Sequence, residues 1–110
     1  MTVAVLHSRA LAGITAPRVT VEVHISGGLP GIHLVGLPDT EVREARDRVR
    51  ASLQNARFDV PARKITINLA PADLRKVGSS FDLPIAIGVL AADGTLPRRI
   101  IDDVVILGEL

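Results

Sequence analysis

Residues Lys76 to Leu90, KVGSSFDLPIAIGVL, set two serines and an aspartate directly before an unbroken apolar run. A serine in the first turn of a helix meets free backbone N–H groups and the positive dipole end, an environment that can hold an oxyanion. A neutral serine also needs a base to take its proton. The candidates are His7, His24, His33, Lys64 and Lys76. Lys76 is the nearest, but its loop reads as exposed, which keeps the ammonium protonated and unfit as a base. The same residues fit a simpler role. Ser79, Ser80 or Asp82 can cap the helix, with Pro84 tolerated in its first turn. Ser79 and Asp82 also have capping-box spacing, with aspartate in place of glutamate. The expectation is a cap and no catalytic residue, with Ser80 the one candidate nucleophile.

The second concentration of chemistry is basic. In DTEVREARDRVRASLQNAR, Arg43, Arg46, Arg50 and Arg57 recur along one helix edge. Such a row can grip phosphates or a partner's carboxylates, DNA among them. It also contains Arg43–Asp47 and Glu44–Arg48 at i, i+4 spacing, the pairing of a solvated edge. The three histidines fall on three predicted strands with no clustered carboxylate, so no metal site is expected. No GxxxxGK[ST] occurs, so ATP binding through a P-loop is not expected. GLPG at 28–31 and GLPD at 36–39 are turn chemistry.

Positioning these residues requires a set of alternating and helical segments. Val3, Val5 and His7 suggest a first strand, and RVTVEVHI at 18–25 is a second with a clean period of two. Ile32 to Val35 is a short third strand. Asp39 is the expected N-cap of a helix whose apolar stripe is Val42, Ala45, Val49, Leu53 and Ala56. KITINL at 64–69 alternates as a fourth strand. Leu83 to Ala92 has no polar face and should be a buried helix, ended by Asp93-Gly94. The closing VVILGEL reads as a fifth strand. Three strands, helix, strand, helix, strand imply one α+β domain over residues 1–110, with both helices on one face of a sheet.

Composition supports a globular core without assigning a partner. The 110 residues are 47% apolar with a mean hydropathy of +0.34 and a formal charge of +1. Aromatics are 2%, Phe58 and Phe81 alone, so base stacking on aromatic side chains is nearly excluded. The absence of cysteine rules out disulfides and thiol catalysis. No stretch approaches the ~20 apolar residues of a membrane span, and the first residues lack a signal-peptide pattern. A cytoplasmic protein is expected.

GLPDTEVREARDRVRAS, ITINLAPADLRK, SFDLPIAIGVL and the terminal ILGEL together resemble the N-terminal domain of the YifB/ComM family. These are bacterial AAA+ ATPases often labelled magnesium-chelatase-like, and the likeness runs from about Val3 to Leu110. It implies a fold like the Lon proteolytic domain and domain two of ribosomal protein S-five. That fold has a left-handed βαβ crossover, against the usual right-handed preference. The resemblance also implies a downstream AAA+ module binding Mg-ATP, a hexameric ring, and DNA branch migration during natural transformation. This domain would then be non-catalytic and without a cofactor of its own. Its partners would be the other ring subunits and DNA, with no membrane. Laid along the Lon nucleophile segment, Ser80 falls at the serine position. Lon pairs that serine with a later lysine, and no lysine follows Lys76 here. The alternatives are a Ser–Lys peptidase completed beyond Leu110, and a subunit serving metal insertion.

Overall fold

Alternating small and branched apolar residues form β1 (Thr2–Arg9) and β2 (Arg18–Ser26), paired antiparallel with Val5 opposite Glu22 and His7 opposite Thr20. The computed structural model describes residues 2–11, 14–76 and 78–110. Val19, Val21, Val23 and Ile25 of β2 are fully buried, while Thr20, Glu22 and His24 lie half-buried on the opposite face. β3 (Gly31–Val35) is followed by α1 (Asp39–Asn55) and β4 (Lys64–Ala70). β4 pairs antiparallel with β2 and parallel with β3, giving the order β1-β2-β4-β3. A parallel pair requires a crossover, and α1 supplies it. Between β3 and α1 the chain passes so close to β4 that only glycine fits. Gly36 has φ 104, and a Cβ there would sit 2.1 Å from the Leu69 carbonyl oxygen.

Ala45, Val49 and Leu53 are buried at four-residue spacing along α1, whereas Val42 of the expected stripe is half-buried and Ala56 is exposed just past the helix end. A short 3-10 turn, Gly78–Phe81, leads into α2 (Asp82–Ala92), buried on nearly every side as its unbroken apolar run requires. α2 lies across β1 and β2, with α1 beside it toward β3. The packing is tight: a Cβ on Gly88 would come within 2.7 Å of Val23 Cγ2. Gly94 ends α2 in the left-handed region at φ 88, as expected. The α+β class, the sheet and the two helices on one face agree with the sequence reading.

The fifth strand does not form. Val105 makes a single parallel bridge to His7, and the Ile106 N–H donates to the His7 carbonyl at 2.9 Å. The chain then turns toward α2, where the Gly108 carbonyl accepts the Leu83 N–H at 3.2 Å. That N–H belongs to the unpaired first turn of α2, so the segment leaves the sheet edge to satisfy it.

The expected side-chain caps do not form, and at α2 the same contact takes their place. Neither helix has a side-chain cap hydrogen bond, and the capping positions are Pro38 and Phe81. Asp39 is not the cap of α1 but lies inside its first turn. There its carboxylate faces the positive end of the helix dipole. At α2 a carbonyl from a distant segment does what Ser79, Ser80 and Asp82 were expected to do.

Candidate functional site

The two serines lie in the 3-10 turn rather than at a helix mouth. Ser79 Oγ donates to Glu109 Oε1 at 3.1 Å. Ser80 is half-buried and borders an apolar cavity of about 270 Å³ with Leu107 and Gly108. Among the described residues no histidine or lysine side chain is hydrogen-bonded to its hydroxyl. Asp82 is fully buried and engaged elsewhere. Arg48 Nε and Nη2 donate to its Oδ2 at 2.6 Å and its Oδ1 at 3.1 Å. The hydrogen bond to Asp82 raises the Arg48 pKa above its ordinary value against the opposing effect of burial. Glu44 and Glu109 add weaker attraction. The expected Glu44–Arg48 pairing is therefore replaced by a forked bridge between α1 and α2.

Lys76 corrects the sequence reading most sharply. It is buried, not exposed, at 3% of its accessible surface. Its Nζ donates to three carbonyls: Gly36 at 2.9 Å, Pro71 at 2.6 Å and Leu74 at 2.9 Å. All three N–H donors of an ammonium are thereby used. Burial pulls the pKa below the ordinary lysine value, and nearby Asp73 pulls it back up. Lys76 staples the turn after β3 to the loop after β4, and its nitrogen is spent there rather than offered to Ser80. Sequence reasoning missed this because the loop around it, PADLR, is polar and the Gly36 acceptor is forty residues away.

The arginine row is brought together in part. Arg43, Arg46 and Arg50 border one groove of about 480 Å³ between α1 and the start of β3, with Leu29 and His33 on its other side. Arg46 is half-buried and points one Nη1 donor at the Ile32 carbonyl, 3.4 Å away. Arg43 and Arg50 are exposed, and among the described residues neither is paired with a carboxylate. Asp47 borders the groove without forming the expected pair with Arg43. Arg57 does not belong to this edge. It lies two residues past α1 with φ 66, where it closes the helix: its N–H bonds Gln54 O and the Phe58 N–H bonds Leu53 O.

The histidines fall on the sheet face away from the helices. His24 contacts the carboxylate of Glu22 through Nε2, a partner the sequence reading did not give it. The signal was present, because residues i and i+2 of a strand share a face. His24 and His33 flank Thr66 in one cross-strand row. Among the described residues no group of three or more His, Asp or Glu side chains could hold a metal ion. No helix among them is long and apolar enough to cross a membrane.

A mixed four-stranded sheet under two helices defines an α+β domain, with a groove bordered by three arginines and Asp47 at its β3 edge. The profile of the family described as "Subunit ChlI of Mg-chelatase" matches residues 21–110, and the chain belongs to that family. It is 56% identical over 110 residues to protein YifB of Escherichia coli, covering 100% of this chain and 22% of that protein. It is 60% identical over 96 residues to competence protein ComM of Haemophilus influenzae, covering 87% and 19%. The YifB/ComM grouping that the motifs suggested is thus confirmed. The chain spans about a fifth of the length of these relatives.

Proposed function

We propose that this chain is a non-catalytic N-terminal domain of a hexameric AAA+ ATPase, contributing subunit contacts and part of a DNA path. Mg-ATP belongs, in this reading, to a separate module of the full-length protein. The fold is read as Lon-like, with the nucleophile position retained at Ser80 and its chemistry absent. Lys76 supports this, since its three donors are committed to carbonyls. The name of the competence protein supports a role in transformation.

The observation that carries the DNA reading is the groove of Arg43, Arg46 and Arg50. Unpaired guanidiniums on one edge release counterions when they meet phosphates, which makes affinity steeply salt-dependent. A single domain of net charge +1 has little hold on DNA. Repeated copies around a ring multiply weak contacts. In the full-length protein, exchanging the three arginines for glutamine is expected to weaken DNA binding at least ~10-fold at moderate salt and to flatten its salt dependence. Unchanged affinity with an unchanged slope would remove the groove from the DNA path.

A further inference from the structure

We infer that the groove between α1 and β3 takes a single unpaired nucleic-acid strand, its phosphates on the arginines and one base face against Leu29. This rests on the DNA-path reading and adds the form of the strand and the mode of contact.

Two observations point the same way. The first is the depth of the charges. Arg46 borders the groove and is half-buried, deeper than Arg43 and Arg50, with one donor turned to the Ile32 carbonyl and the others left for a ligand. Arg43 and Arg50 are exposed and stand about 10 Å apart along α1, from a rise of ~1.5 Å per residue. A narrow strand can descend to Arg46 and touch all three. A duplex is a broad cylinder, with a major groove alone about 12 Å across. It rides on the rim, where it meets Arg43 and Arg50 but not Arg46.

The second observation is Leu29, 87% exposed and bordering the same groove. A lone exposed leucine is ordinary on a protein surface. Beside three guanidiniums it becomes the apolar half of an amphipathic strip. An unpaired nucleotide presents phosphate and a bare base face together, and fits both halves. A duplex hides its base faces in the stack and can use only the arginines. Among the described residues no phenylalanine, tyrosine or tryptophan borders the groove; the His33 imidazole is its one aromatic ring, and Leu29 is its large exposed apolar side chain. Contact of a base with Leu29 reads no sequence, because every base has an apolar face.

The test uses the full-length protein with an oligothymidylate and a blunt duplex of equal length, each titrated across a range of salt. Leu29→Ser is expected to weaken single-strand binding ~5-fold or more, leaving duplex affinity and the salt slope unchanged. Arg46→Gln with Arg50→Gln is expected to lower the single-strand slope by about 1.4 per occupied subunit, from ~0.7 for each lost phosphate contact. Leu29 and Arg50 are exposed and Arg46 is half-buried, and a circular dichroism melt matching the parent protein confirms that each variant folds. If Leu29→Ser affects both probes equally, or neither, the single-strand inference is overturned. The DNA-path reading then still stands, provided the arginine pair weakens binding. If the arginine pair leaves both probes unchanged, both readings fail together.

Discussion

Arg57 occupies a backbone position that ordinarily selects glycine. Its φ of 66 follows the last turn of α1, and its N–H and that of Phe58 close the helix on Gln54 and Leu53. A Cβ in this left-handed conformation costs roughly 1–2 kcal/mol, which glycine avoids. Glycine returns part of that gain through its greater freedom in the unfolded chain. Arg57→Gly is therefore expected to stabilise the fold by about 0.5–1 kcal/mol, read as a higher urea midpoint at constant m-value. A lower midpoint would mean that the Arg57 side chain makes a contact outweighing the strain. The position also shows where sequence spacing misleads. Arg57 stands seven residues after Arg50, so helical periodicity set it on the same edge. That periodicity applies only while the helix lasts, and α1 ends at Asn55.

Between elements, the link that matters most is the bridge from α1 to α2. Asp82 has no exposed side-chain surface, whereas Arg48 retains 32%. The two partners should therefore respond unequally to removal. Arg48→Ala strands a buried carboxylate, for which a loss of about 3–5 kcal/mol is expected. Asp82→Ala leaves a guanidinium that can turn to water, and the loss should be about half as large. The double variant Arg48→Met with Asp82→Leu should recover most of the stability, because it removes both charges and fills the space. Chemical denaturation of the four proteins tests the asymmetry. Equal single-variant losses would show that water reaches Asp82 in the absence of Arg48. Nothing local announced this pair. Thirty-four residues separate its members, and Arg48 had a plausible neighbour in Glu44 at helical spacing.

For the molecule as a whole, period-two and helical patterns gave the elements and the layer arrangement, since burial of one face enforces them throughout. The apolar run of α2 and the alternation of β2 are of this kind. The Gly108 carbonyl at the start of α2, the Arg48–Asp82 fork and the Lys76 staple were not legible, because each joins segments that only the finished fold brings together. Lys76 gives this last group a measurable signature. Replacing it by methionine leaves three carbonyls without their donor, and about 2–3 kcal/mol should be lost at neutral pH. Its pKa is lower in the folded protein than the ordinary value because burial disfavours the charge. On raising the pH, the folded state gives up this proton before the unfolded state does. In the window between the depressed value and the ordinary ~10.4, the unfolded chain holds more protons, so stability rises with pH. The chain has no tyrosine and no cysteine to titrate in that window, and Lys64 is common to both proteins and cancels in their difference. Denaturant unfolding from neutral to alkaline pH should therefore show the native protein gaining stability relative to Lys76→Met as the window is crossed. A relative loss would reverse the assignment: the three carbonyls would then favour the ammonium more than burial penalises it, and the folded pKa would lie above the unfolded one.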